Sequence, residues 1–415
     1  MLDWQVLTDP AGLEALAPEW DRLAVQNGLP MMAPACVLGW RRHLAPALAE
    51  FRAIAVFDGS QLAGLAPFYL DSRRPGLGMR LPGIELAGGL APLVAPGRAG
   101  DVGGAFAAAL ARSPLCRGPV SLEGNPRSLD WADTLAQGWP GRLRPASCRY
   151  QVQGCPKAAL DATSFEQWLT SKSANFRGSM RRMRRHFLAA GGRSRTSTRD
   201  TLRQDVEAFV RLHAERWQGK GGSSFVRLGS ALADLLVEIG RAQLDQEGRF
   251  RMRVLEIDGE PITAQLFLAA GERVHYVNGG WDARFAGLKP PMLALLDTVE
   301  EAFSRGETVL ELGLGQQTYK LRFADSVDDV VWDMLIPADV HMPLALLRTA
   351  PIRSAAILRS AVKSRLPEPQ LTRLRRLRER VHGFEGGSRA PARRIGAQPW
   401  RSRQRPAGIS APRRA

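Results

Sequence analysis

The densest run of ligand-binding side chains in this sequence is Asn175–Gly192, NFRGSMRRMRRHFLAAGG. It sets five arginines, Arg177, Arg181, Arg182, Arg184 and Arg185, within nine positions and holds no acidic residue. Guanidinium groups at this density suit a nucleic-acid groove, an anionic membrane surface or a phosphorylated ligand, because arginine presents a rigid fork of donors to phosphate. A solvated helix face carries the same charge. Other familiar chemistries lack their residues. The six histidines include no HExxH pair, and Cys36, Cys116, Cys148 and Cys155 form no CxxC. The spacing therefore predicts neither a metal site nor a disulfide framework.

The arginines need an element to hold them. Phe176, Met180, Met183 and Phe187 recur at intervals of four, three and four, which makes one apolar stripe on a helix and leaves the arginines on the other faces. Ser171 or Ser173 can cap the start, and Gly191 and Gly192 can end it with positive φ. The stretch reads as a packed amphipathic helix.

Length and composition bound the rest. At 415 residues and 45% hydrophobic, the chain has room for two ordinary domains and an appendage. No apolar run is long enough to span a bilayer, and MLDWQVLTDP lacks the basic and apolar regions of a secretory signal. The expected location is the cytoplasm, with a peripheral place at the inner membrane face open to it. The net charge of +16 is concentrated at one end: residues 346–415 hold 18 basic and 3 acidic side chains, the preceding 345 hold 39 and 38. The charge belongs to the tail. That tail suits an anionic membrane or another polyanion. With only Phe384 and Trp400 to stack on bases after 382, no specific nucleic acid is expected.

A weak repeat organises the body. RAIAVFDGSQLAGLAPFYL (52–70) and MRVLEIDGEPITAQLFLAA (252–270) align without gaps, each reading as strand, Asp-Gly turn, strand. Helices are predicted around Leu13–Leu23, Val37–Leu48, 202–218 and 228–246. The stretch 75–100 reads as irregular and FAAALARS as a helix. VHYVNGGWD (274–282) reads as a strand, PMLALLDTVEEAFSRG (291–306) as a helix, and TVLELGLG (308–315) as strand then loop. After Pro343, SAAILRSAVKSRL and PQLTRLRRLRERV read as helical, and the sequence beyond Gly383 as disordered.

Five motifs in this order, SANFRGSMRRMRRHFLAAGG, LHAERWQGKGG, RMRVLEIDGEPITAQLFL, VHYVNGGWDARFAGLKPPMLALLDTVEEAFSRG and LELGLGQQTYKLRF, resemble the CelD-type acetyltransferases of the GNAT superfamily. That family is also described as cellulose-biosynthesis or FemAB-like. The resemblance covers 165–335 clearly and the first half faintly, and its specificity lies in order and spacing.

The resemblance implies an α/β (α+β) architecture of tandem GNAT-like domains, mixed sheets flanked by helices. Its division would be a degenerate first domain at 1–155, the acetyltransferase domain at 160–342, a basic helical extension at 343–382 and the tail at 383–415. It implies acetyl-CoA or another acyl-CoA as donor, no metal, and an amine or hydroxyl of a sugar, peptide or envelope precursor as acceptor. The alternatives are a Fem-like transferase using aminoacyl-tRNA, and a non-catalytic GNAT scaffold with a polyanion- or membrane-binding tail.

Carried onto this sequence, the CoA pyrophosphate would rest on Ala286, Gly287, Leu288 and Lys289 as the chain enters the helix at Met292, where backbone N–H groups and the helix dipole favour an anion. A Pro-Gly pair is commoner in the family where Pro290 and Pro291 stand, and proline removes donors. Glu311 and Asp282 would be bases and Tyr276 and Tyr319 acids, since transfer to an amine must remove one proton and supply another. Arg177, Arg181, Arg184, His213, Trp217, Gln265 and Lys320 would line the acceptor side.

Overall fold

A computed structural model describes residues 2–72, 76–217, 223–246 and 248–365, the side chains of 356–365 excepted. The strands are β1 (Asp3–Leu7), β2 (Ala49–Asp58), β3 (Gln61–Asp71), β4 (Met79–Arg80), β5 (Leu93–Val94), β6 (Val120–Pro126), β7 (Ala146–Ala159), β8 (Arg193–Thr196), β9 (Phe250–Ile257), β10 (Glu260–Ala270), β11 (Arg273–Trp281), β12 (Val309–Glu311) and β13 (Ser326–Ile336). The helices are α1 (Pro10–Ala15), α2 (Ala17–Asn27), α3 (Pro34–His43), α4 (Ala99–Arg112), α5 (Trp131–Gln137), α6 (Phe165–Ser171), α7 (Ala174–Ala189), α8 (Leu202–Trp217), α9 (Ser224–Gln243), α10 (Pro290–Ser304), α11 (Thr318–Leu321) and α12 (Met342–Arg365).

The strands form one mixed sheet in the order β1-β2-β3-β4-β6-β13-β7-β12-β11-β10-β9-β8, with β5 on β3. Two hairpins of similar plan, β2–β3 and β9–β10, sit in opposite halves. Asp258 and Gly259 both take positive φ, as a tight Asp-Gly turn requires. The stretch 75–100 is not wholly irregular, since it contains the two-residue strands β4 and β5. The predicted helix through Leu13 and Leu23 is broken in two, α2 restarting with Pro18 in its first turn.

Strand alternation splits the apolar residues between two cores. Val254 and Leu266 face a core shared with α1–α5, α8 and α9, whereas Leu255 and Phe267 face a second core under α6, α7 and α10. The first core therefore runs across both halves, and Arg249–Asp21 and His43–Glu238 (2.5 and 2.7 Å) pin them at the rim. The join between 155 and 160 falls at the end of β7. β13, from the second half, lies between β6 and β7. α7 forms as the stripe dictates: Phe176, Met180, Met183 and Phe187 are buried, Ser173 caps Phe176 N–H at 3.2 Å, and Gly191 has φ +74°. The helix expected over 371–381 and the disorder expected beyond 383 lie outside the described residues.

Candidate active site

The site is built where β11 leaves its neighbour. β11 follows β10 from Arg273 to Trp281 but pairs with β12 only over Arg273–His275. From Tyr276 onward, its other edge has no strand beside it among the described residues. A bulge at Val277, where Leu266 faces Asn278 and Phe267 faces Tyr276, re-aims the strand at this point. Gly280 then lets α8 approach: a Cβ there would collide with the His213 backbone nitrogen.

The C-terminal turns of α8 and the short α11 bring four polar side chains to the diverging edge. His213 Nδ1 donates to Gly279 O at 3.3 Å, and its Nε2 accepts from the Ser223 hydroxyl at 2.8 Å. Burial lowers its pKa, so the ring is a neutral, oriented group. Arg216, one turn on, reaches Gly279 O (3.5 Å), and its charge acts against the upward pKa shift of nearby Tyr319. Tyr319 and Tyr276 lie near enough to influence each other's ionisation, and burial raises both pKa values, so both phenols keep their protons. Lys320, 4% exposed, donates to Leu314 O at 2.9 Å and lies 5.5 Å from the Tyr276 ring centre. Burial, with Arg216 nearby, pulls its pKa down to about 8. Beside them, Gln265 anchors its amide nitrogen on Pro291 O at 3.1 Å, leaving Oε1 buried without a partner. The Gln265 side-chain stem and the Tyr276 hydroxyl both border Gly279.

The other expected residues fall elsewhere. Glu311 is buried at the end of β12 against Arg273 (3.1 Å), Lys157 (3.3 Å) and His275 (3.4 Å). Burial pushes its pKa up, but His275, Lys157 and Arg273 outweigh it and the net direction is down. Glu311, the expected base, therefore sits ionised in an ion-pair cluster. A cavity of about 20 Å³, room for roughly one water, separates it from Tyr276. Asp282 is likewise held below the usual range, chiefly by Arg284, and its side chain caps the turn at Arg284 N–H (2.9 Å). Cys155 borders the same cavity, but burial pushes its thiol up to about 12, so it stays protonated.

The turn Ala283–Leu288 and Lys289, which adopts φ +51°, lead into α10 as expected, with Ala286, Gly287 and Leu288 ahead of the helix. Pro290 and Pro291 occupy its first turn without N–H groups, and Met292 N–H bonds back to Lys289 O at 3.0 Å. The helix start thus keeps its dipole and the Lys289 side chain but loses donors. Of the arginines expected to touch an acceptor, two are engaged inside the fold. Arg177 donates to Thr170 O and Lys172 O (2.9 and 2.5 Å), and Arg184 pairs with Asp297 (2.8 Å) and Glu300. Arg181, with Arg182 and Arg185, faces solvent on a helix that packs against α10 and the 283–288 turn. Trp217 is half-buried at the end of α8, its ring 6.1 Å from His213.

Arg216 was absent from the sequence expectations. Its position three residues after His213, on the same helix face, was the available signal. His275, Lys157 and Arg273 gave none, because only the sheet brings them to Glu311.

Residues 174–321 match the family model described as an acetyltransferase (GNAT) domain. No curated protein matches the sequence. Among solved structures, FemX is similar in fold (TM-score 0.55, 10% identity, 83% of this chain and 99% of that one). The C-terminal domain of a protein described as a lysylphosphatidylglycerol synthetase from Agrobacterium fabrum gives a TM-score of 0.49 at 8% identity, over 83% of this chain and 98% of the other. A tandem GNAT protein from the clavulanic acid biosynthesis pathway gives 0.42 at 14% identity, over 82% of this chain and all of the other.

Proposed function

We propose that this GNAT-type transferase, whose acetyltransferase domain spans residues 174–321, moves an acyl group from acyl-CoA to an amine or hydroxyl of a sugar, peptide or envelope precursor, as a CelD-type member would. The observation that carries the reading is the edge of β11 beyond His275, beside which no described strand lies, with Arg216, Tyr319 and Lys320 gathered around Tyr276. An amide-bearing pantetheine arm can lie along that edge as an added strand. The unpartnered Gln265 Oε1 would accept from one of its N–H groups. Lys289 and the dipole of α10 then meet the phosphates.

In the transfer, the acceptor nitrogen or oxygen attacks the thioester carbonyl. The new C–N or C–O bond forms as the C–S bond breaks. The acceptor's proton passes to neutral Lys320, whose lowered pKa keeps a useful fraction unprotonated near neutral pH. Tyr319, whose phenolate the nearby Arg216 charge would favour, gives its proton to the departing thiolate. His213 holds the Gly279 carbonyl and so fixes the edge.

A second reading, aminoacyl-tRNA as donor, draws on two observations: the prolines that strip donors from the start of α10, and the solvent-facing Arg181, Arg182 and Arg185 beside it. Calorimetric titration with acetyl-CoA separates the two. Micromolar binding that weakens in Lys289→Glu supports the first reading. No binding by the unaltered protein overturns it and leaves the second.

A further inference from the structure

Far from the β11 edge along the sheet, the start of α12 closes a cavity of about 460 Å³ over the end of β3 and the segment leading into β6. Its walls are apolar at Leu70, Pro119, Leu344 and Ala345 and carry the basic side chains Arg117, His341 and Arg348. None of these three basic side chains makes a hydrogen bond or ion pair with a described residue. The nearby acid, Asp339, accepts the His341 backbone N–H at 2.8 Å.

α12 has two apolar faces. Met342, Ala345, Leu346 and Ile352 pack inward on Met334 and Ile336 of β13. On the outer side, Leu344 and Leu347 are 46% and 70% exposed, with Val340 just ahead at 89%. Single exposed leucines need no explanation, but an apolar rim around basic side chains that no described residue pairs does. The helix sequence carries five basic residues and no acidic one, and it opens the segment that holds nearly all of the chain's net charge.

We propose that this face docks on an anionic phospholipid bilayer. A headgroup phosphate enters the cavity between Arg117, His341 and Arg348, and Val340, Leu344 and Leu347 sink to the acyl boundary. A free phosphate would use the cations but not the apolar rim, whereas an interfacial helix uses both. The basic sequence that follows adds long-range attraction to the same surface. The inference is independent of the acyl-transfer reading, since none of these residues belongs to the site on β11.

The test is co-sedimentation of the full chain with phosphatidylglycerol-containing vesicles and with pure phosphatidylcholine vesicles. Leu344 and Leu347 are both exposed, so Leu344→Ser with Leu347→Ser is expected to keep the fold, which thermal melting checks. Retention on anionic vesicles is expected to fall several-fold in that variant, and about tenfold or more in Arg117→Glu with Arg348→Glu. Unchanged retention in the leucine variant would overturn the proposal and assign binding to the tail alone. So would abolition of vesicle binding by millimolar inorganic phosphate at constant ionic strength, which would make the cavity a site for a soluble anion.

Discussion

The two halves of the sheet each hold a buried polar cluster, and the clusters differ in what they leave over. In the first half, Arg80 donates to Glu123 at 2.5 Å, Tyr150 donates to the other carboxylate oxygen at 2.9 Å, and the Tyr69 ring faces the guanidinium. Each charge meets its opposite, as a cluster whose work is to hold strands together requires. In the second half, Tyr276, Tyr319, Arg216 and Lys320 assemble with no carboxylate among them, and Gln265 keeps a buried acceptor without a donor. A protein tolerates surplus cationic and hydrogen-bonding capacity of this kind where a ligand supplies the complement. On the proposed reading, the difference separates a clasp from a workplace on the same sheet.

The sharpest way to break that comparison is Lys320→Met. Thiol release from acyl-CoA in the presence of an acceptor is expected to fall by a factor of about 10²–10⁴, with melting unchanged or slightly raised because a buried ammonium is gone. Equal turnover would return Lys320 to a packing role. Glu123→Gln should do the reverse. It strands the Arg80 guanidinium and costs about 3–5 kcal/mol in denaturant unfolding, while turnover per folded molecule stays the same. A loss of turnover at constant stability would mean that the first half also does chemistry.

The pH profile sharpens the contrast further. If neutral Lys320 takes the proton, activity rises with pH to a plateau above about 8, and that limb vanishes in Lys320→Met. Stability should move the same way. The unfolded chain keeps this lysine protonated to higher pH than the native state does, so native stability gains between about 8 and the ordinary lysine range. A flat unfolding free energy across that window would contradict the burial argument. The smallest effect is expected for Arg181→Ala with Arg185→Ala, within about 0.5 kcal/mol on stability. Its value lies in salt-dependent retention of tRNA, which drops only if the donor is a nucleic acid.

Much of the local structure was legible because it is written in short-range chemistry. The spacing of Phe176 to Phe187 specifies α7, the Asp-Gly pairs specify both hairpins, and the apolar period of 291–306 specifies α10. The site was legible only in pieces. Tyr276, Tyr319 and Lys320 do converge, because the Gly-rich loop after β12 folds α11 back over β11. Glu311 could not be read, since its character is set by Lys157 on β7 and by Arg273 and His275 on β11, and strand order leaves no mark in sequence. Arg177 and Arg184 show the same limit: the sequence displays their charge but not the carbonyls and carboxylates that absorb it.

The position of β13 between β6 and β7 has a consequence for how the protein is made. β6 and β7 are neighbours in the chain, yet the strand that joins them ends at Ile336. During synthesis, the ribosome must deliver the entire second half before the first can finish its hydrogen bonding. For that interval the nascent chain displays two open strand edges. A truncation that ends near 155 would keep those edges permanently, and the expected fate of such a fragment is inclusion bodies.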